Sequence, residues 1–346
     1  MPRASLLAVA AVAEPGGAET TLLRLLFALR RRGWAVTLTA PAAGSTLLLA
    51  RQGGLEVAEL AVGGLGGGTG AAAVRSWPRA RRLARGRDVV YLNGTVSARL
   101  LPGLRGAGTR TVLHVHDIVD RVPRFWSAAD LVFAASAAVA DALPGLDAEV
   151  VYLPVDPDPP AADPPWGTGM GPVIGFVGRI EPRKAPLDLL HAAPLIHAGA
   201  PGARIVLIGG DPYGSSPEYL AQVDCAARAA RAERYSWVDN APSLMRHLDV
   251  LVLPSRQEPF GTVLSEAMAV GTPVVATRVG GLEEVVSDGV NGRLVAPGDP
   301  PALAAAVLDV LARADSMGTA ARQTASRFFT ETYTDHVESL LRDGLE

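Results

Sequence analysis

Two glutamates, Glu258 and Glu266, stand with seven residues between them in the run Pro254-Ser255-Arg256-Gln257-Glu258-Pro259-Phe260-Gly261-Thr262-Val263-Leu264-Ser265-Glu266-Ala267-Met268-Ala269. The run reads as the end of a buried strand, a turn, and a helix opening at Gly261-Thr262, with Thr262 as the expected N-cap. A helix that opens beside a glycine at a strand end offers unpaired N–H groups and the positive end of its dipole, which suits a phosphate. Glu258 before the helix and Glu266 about one turn into it would flank that phosphate with acceptors for hydroxyls on two different sugars. The bland alternative is a surface helix with acidic residues around its first turn.

Three further groups could do chemistry. Gly178-Arg179-Ile180-Glu181-Pro182-Arg183-Lys184 puts cations behind a strand, and Lys184 is the one lysine among 32 Lys plus Arg. Arginine can grip two phosphate oxygens at once, while lysine acts as a point charge; Arg183 reads as a solvated neighbour, and two ordinary surface cations are the alternative. Gly16-Gly17-Ala18-Glu19 is a glycine turn opening a helix, a weak signal alone. His114-Val115-His116-Asp117 ends a strand, where alternation puts both imidazoles on one face, ready to hydrogen-bond a hydroxyl. A metal is the rival there, but no third ligand presents itself; His114 also fits a satisfied, half-buried position.

The elements that must position these groups alternate short apolar runs with helical stretches, the pattern of parallel α/β layers. Strands are expected at Ser5–Val12, Ala35–Thr39, Val57–Leu60, Val89–Leu92, Thr111–Val115, Leu131–Ala134 and Val150–Leu153. A helix over Glu19–Arg32 carries Leu22, Leu23, Leu26 and Leu29 at helical spacing. From Pro154 to Pro172 there are seven prolines, which no regular element survives, so this reads as an interdomain linker. The pattern then restarts, with strands at Val173–Val177, Arg204–Ile208, Val250–Leu253 and Pro273–Ala276 and helices at Lys184–Ala198, Thr262–Val270 and Pro300–Arg313. The expected organisation is a domain over 1–155, a linker over 156–171, a second domain over 172–325, and a helical tail over 326–346 packing back on the first domain. Two doubly wound sheets facing across a cleft would bind ligands at the C-terminal ends of their strands.

The Glu258/Glu266 frame resembles the E-x7-E motif of retaining glycosyltransferases of family 4, which have the GT-B fold of two Rossmann-like domains. The likeness continues through Gly271-Thr272-Pro273-Val274-Val275-Ala276-Thr277, Val279-Gly280-Gly281 and Asp288-Gly289-Val290-Asn291-Gly292, most of the second half. The resemblance implies that Glu258 faces the donor sugar, that Glu266 binds ribose hydroxyls, and that Arg179 and Lys184 hold the donor diphosphate. It also implies that the loop at Gly17 closes over the diphosphate and that His116, rather than His114, lies near the donor sugar. The expected donor-binding set is Gly17, Gly178, Arg179, Lys184, Gly209, Glu258, Phe260, Gly261, Thr262, Val263 and Glu266, with His116, Arg179, Lys184 and Glu258 in catalytic roles. The implied reaction moves a sugar from a nucleotide-sugar co-substrate, UDP-linked by preference, to a hydroxyl of a natural product or saccharide. Retention of configuration is expected with no metal and no cofactor, the leaving phosphate taking the acceptor's proton on the face of attack. A nucleotide-sugar epimerase of the same fold and a non-catalytic nucleotide-binding module remain as alternatives.

Composition narrows the rest. The 346 residues suffice for two domains, and a net charge of −3 argues against a nucleic-acid partner. One cysteine, Cys225, excludes an internal disulfide and fits a reducing cytoplasm. No apolar run approaches the ~20 residues of a membrane span. Arg3 and the apolar stretch after it resemble a short secretory signal, but strand, turn and helix follow smoothly, which favours a first strand. The arginine, alanine, glycine and proline bias suggests a GC-rich bacterial genome. Asp156-Pro157-Asp158 imitates a metal motif inside the proline-rich stretch, Gly66-x-Gly68-x-x-Ala71 imitates a dinucleotide fingerprint away from a first strand, and Asn93-Gly94-Thr95 fits a glycosylation acceptor. Arg75, Trp77, Arg79, Arg81, Arg82, Arg85 and Arg87 form a basic stretch that suits a solvated helix face better than an anionic membrane surface.

Overall fold

The computed structural model describes residues 4–42, 44–63, 70–167, 169, 171–212, 214–238 and 241–345. The glycine-rich imitation of a dinucleotide fingerprint at Gly66 and Gly68 lies outside them. The chain forms two units, one running to Pro154 and resuming at Thr330, the other Val155–Phe329.

In the first unit β1 (Ser5–Val9), β2 (Ala35–Ala40), β3 (Glu56–Glu59), β4 (Val89–Asn93), β5 (Arg110–Val115), β6 (Leu131–Ala134) and β7 (Ala148–Val150) pair in the order β3-β2-β1-β4-β5-β6-β7. All pairs are parallel, with Leu7 of β1 opposite Thr37 of β2 and Val90 of β4. Helices on both faces explain why Leu6 to Val9 and Val89 to Leu92 are buried apolar runs without alternation. The chain works outward from β1 to β3 and then restarts at β4, so the order reverses between β1 and β4. β1 stops three residues short of the expected end, because after the bond from Ala10 N to Thr39 O (2.8 Å) the chain turns toward Gly16. β7 lies earlier than the expected Val150–Leu153: Val150 pairs with Ala134 of β6, and just beyond the strand Val151 N donates to Ala134 O (2.8 Å).

The tail belongs to this unit. Helix Thr330–Arg342 sends Tyr333, Val337 and Leu341 into the core shared by Trp34, Leu25 and Leu29. Arg32, at the end of helix Gly17–Arg31, bonds Glu331 and Asp335 at 2.7 Å and Glu338 at 3.1 Å, and Trp34 Nε1 donates to Glu338 at 2.8 Å. The basic stretch partly braces the same unit. On helix Gly70–Ala84, Trp77 Nε1 donates to Arg99 O (2.9 Å) and Arg81 to Arg105 O (2.6 Å), while Arg75, Arg79, Arg82 and Arg85 are exposed. Among the described residues no helix is long and apolar enough to cross a membrane.

The second unit pairs β8 (Val173–Val177), β9 (Arg204–Ile208), β10 (Glu233–Tyr235), β11 (Val250–Leu253), β12 (Val274–Thr277) and β13 (Gly292–Val295) in the order β10-β9-β8-β11-β12-β13, again all parallel. Here the order reverses between β8 and β11. β10 and β13 are absent from the sequence expectation. Both are edge strands of three or four residues, the first with a polar end and the second hidden behind the turn-forming pair Asn291-Gly292. Helix Pro186–Gly199 starts two residues later than expected, because Ala185 takes a left-handed conformation (φ 47°) and leaves Lys184 in the loop. The proline-rich stretch forms no helix or strand among its described residues, yet it is not a free linker. Trp166 is buried, meets Tyr235 at 5.8 Å between ring centroids, and its carbonyl accepts from Arg204 at 2.7 Å. Arg246 bonds Pro159 O (2.7 Å) and His247 Nε2 donates to Ala162 O (2.9 Å), so the stretch is fastened to the second unit.

Candidate active site

Where a doubly wound sheet reverses its strand order, the loops leaving the two central strands diverge and open a crevice. In the second unit those loops are Gly178–Lys184 after β8 and Pro254–Gly261 after β11, the two segments singled out in the sequence. They are stitched together. Arg256 N donates to Arg183 O at 2.7 Å, and Lys184 Nζ forms an ion pair with Glu258 Oε2. Glu258 is only 6% exposed. Ser255 Oγ donates to the same carboxylate oxygen at 3.2 Å, and the Glu258 carbonyl accepts from Gly281 N at 3.0 Å. Thr277 Oγ1 in turn holds the Ser255 carbonyl at 2.5 Å. The carboxylate is therefore oriented by a cation, a hydroxyl and the backbone of a third loop. Ser255 and Gly281 were legible as parts of the motif but carried no role in the sequence reading.

Arg179 reaches Glu181 at 3.1 Å and Arg183 reaches the other oxygen of Glu181 at 3.1 Å, so one carboxylate spaces the two guanidinium groups. The loop after β9 closes against this segment. Gly178 N donates to Ile208 O (3.0 Å), Ile180 N to Gly210 O (2.8 Å), and a Cβ on Gly209 would lie 1.8 Å from Gly178 O. With φ at 143°, Gly209 admits no side chain for two reasons at once. Gly209→Ala is expected to cost about 2 kcal/mol of stability and to displace the Gly178–Lys184 loop; an unchanged urea midpoint with unchanged nucleotide affinity would refute the close packing.

Helix Thr262–Ala269 opens with Gly261, not Thr262, as its N-cap. The reason is conformational: the cap lies at φ 89°, and a Cβ there would strike Leu282 at 2.3 Å, so only glycine fits. Thr262 is the first helical residue and makes no cap bond, leaving it and Val263 half-buried at the helix mouth. Phe260, an expected donor contact, turns its ring into the core, edge-on to Phe328 at 5.4 Å, so only its backbone faces the loop. Glu266 is half-buried in the second turn of the helix.

In the first unit Gly17 is exposed and has open space around its Cα, so bulk alone does not demand glycine there. Glu19 accepts from Gly16 N at 3.1 Å; its burial pushes the carboxyl above the usual range, with Asp117 adding to the rise. His114 is fully buried, with Nδ1 2.6 Å from Tyr91 Oη, which makes it a core position. His116 follows β5, with Nε2 2.8 Å from Asn93 Oδ1, and its ring lies 4.0 Å from that of His114 between centroids. Burial pushes His114 well below the ordinary histidine range and His116 down to about 4.

Two parallel, doubly wound units with their loop chemistry at a sheet switch point define a GT-B protein. Its N-terminal half matches the family model for Glycosyltransferase Family 4 over residues 15–159, and its C-terminal half matches Glycosyl transferases group 1 over residues 171–313. The chain belongs to the GT-B glycosyltransferases. Anabaena HepE, solved in complex with UDP and glucose, is 25% identical with a TM-score of 0.83, over 97% of this chain and 98% of that one. A glycosyltransferase from Rickettsia africae shares the fold at TM-score 0.85 and 16% identity. Among curated proteins, a D-inositol 3-phosphate glycosyltransferase of Geodermatophilus obscurus is 42% identical over 172 residues, which are 47% of this chain and 38% of that protein. The corresponding Mycolicibacterium vanbaalenii protein is 39% identical over 49% of this chain and 39% of its own length. The matched stretch thus spans well under half of these relatives.

Proposed function

We propose that the chain transfers a sugar from a nucleoside diphosphate sugar, UDP-linked by preference, to a hydroxyl acceptor with retention of configuration and without a metal ion. The observation that carries this is the stitched pair of loops at the β8/β11 switch point, where Lys184, Glu258 and the Gly261 helix mouth come together. Arg179, Lys184 and the helix N-terminus stabilise the charge that grows on the leaving diphosphate. That phosphate then takes the acceptor proton on the face of attack, so Glu258 orients the sugar and need not form a bond to it. Glu266 binds the ribose, and the first unit serves the acceptor, a hydroxyl of a natural product or saccharide. HepE, crystallised with UDP-glucose, supports the choice of base.

A thermal-shift series with UDP, GDP, ADP and dTDP, each with magnesium and with chelator, tests the reading. One diphosphate should stabilise the protein equally in both conditions, by about 2.7 kcal/mol at a hundredfold excess over Kd. No shift with any diphosphate or nucleotide sugar would overturn the proposal. Inositol phosphate belongs in the acceptor panel because the curated relatives are D-inositol 3-phosphate glycosyltransferases. Glu266→Ala should weaken nucleotide binding about ten- to a hundredfold with little change in kcat; calorimetry showing wild-type affinity would remove Glu266 from the donor site.

A further inference from the structure

We propose that Asn93 is a positioning residue that holds His116 in its Nε2-protonated form and so presents His116 Nδ1 as a bare acceptor for a substrate hydroxyl. This rests on the glycosyl-transfer reading above. Asn93 ends β4 and is 2% exposed, which also removes Asn93-Gly94-Thr95 as a glycosylation acceptor. Its Nδ2 donates to Ala18 O at 3.3 Å, and its Oδ1 meets His116 Nε2 at 2.8 Å. A carbonyl can only accept, so Ala18 fixes which end of the amide is NH2. The other end, Oδ1, can also only accept, so the proton must sit on His116 Nε2.

The consequence falls on the far nitrogen. A neutral imidazole with its proton on Nε2 carries a lone pair on Nδ1, and His116 Nδ1 is buried with no protein partner among the described residues. An orphaned buried acceptor costs about 1–3 kcal/mol, which a ligand donor would recover. Ala18 belongs to the glycine turn that opens helix Gly17–Arg31, so a single amide links that turn to the orientation of the ring. Both ends of the Asn93 amide bond protein groups, so it acts through His116.

The imidazole nitrogens of the full chain, observed by 15N NMR at neutral pH, report the assignment directly, with His116→Gln identifying the resonances. The expected spectrum has His116 protonated at Nε2 and bare at Nδ1, and the Nδ1 resonance moves when a nucleotide sugar is added. Asn93→Ala should yield a mixture of tautomers and lower kcat about tenfold with nucleotide Kd unchanged. Asn93→Asp keeps the accepting oxygen and should retain the Nε2 proton while losing the Ala18 bond. A wild-type proton on Nδ1, or an unaltered spectrum in Asn93→Ala, would overturn the proposal. Failure of the glycosyl-transfer reading shows instead as absent nucleotide binding, which the spectrum of the free protein does not depend on.

Discussion

In Lys184→Ala, kcat for glycosyl transfer falls by about 10²–10³-fold, the size of losing one preorganised stabiliser of transition-state charge. The substitution also exposes a second debt. Lys184 is the ion-pair partner of Glu258, whose side chain is 8% exposed, so its removal leaves a nearly buried carboxylate with the Ser255 hydroxyl as its side-chain partner among the described residues. Breaking one side of such a pair costs more than replacing both sides. The single variant should therefore melt below Lys184→Ala/Glu258→Gln, although the double variant is no more active. Lys184→Arg keeps the charge but not the compact ammonium and should fall between wild type and alanine in kcat. Kinetics and urea melts on the three proteins decide the matter, and wild-type kcat in Lys184→Ala would take Lys184 away from the leaving phosphate.

Acid is expected to weaken the fold well above the pH at which most carboxylates titrate. His116 is pushed down to about 4 and His114 well below its ordinary range, both by burial. In the unfolded chain each recovers an ordinary value near 6.5, so below that pH the unfolded state binds protons that the folded state refuses, and stability drops as pH falls. For His116 alone the loss reaches about 2 kcal/mol by pH 5 and about 3 kcal/mol near pH 4. Glu19, whose carboxyl is raised by burial, works in the opposite sense and recovers stability as it protonates. Glu331 and Glu338, held low chiefly by hydrogen bonds that outweigh desolvation, add to the acid loss only below their ordinary carboxylate range. Urea midpoints between pH 7.5 and 5 should fall in the wild type and stay nearly level in His114→Gln/His116→Gln. A wild-type midpoint that is flat over this interval would mean that the pair is hydrated or already charged.

Much of the second unit was legible because its chemistry is local in sequence. Gly178–Lys184 and Pro254–Glu266 are each one loop behind one apolar strand, so residue type, spacing and element order all point to the same place. The details that went astray are those where backbone conformation overrides side-chain preference. Thr262 is the better capping residue by type, yet Gly261 takes the cap because the chain there is left-handed. Likewise Ala185 delays the next helix and leaves Lys184 in the loop, where it meets Glu258. Asn93 was opaque for a different reason. Its two partners lie 75 and 23 residues away, and sequence shows only the triplet it happens to share with a glycosylation acceptor. The described residues of the proline-rich stretch form no helix or strand, in keeping with its proline content, but composition gave no sign that Trp166 and three carbonyls would fasten it down.

The chain passes between its units at Pro154-Val155 and again at Phe329-Thr330. Within the second unit these two passages run side by side: Val155 pairs with Phe329 in an isolated parallel bridge, and Val155 N donates to Phe328 O at 2.7 Å. In the grammar of gene fusion, the second unit is thus an insert in the first rather than a sequel to it. A chimera that trades the second unit between relatives must be spliced at both seams and must return the host its own Thr330–Arg342 helix. A simple head-to-tail joint would pair that helix, and the Glu331, Asp335 and Glu338 carboxylates it brings to Arg32, with a foreign partner.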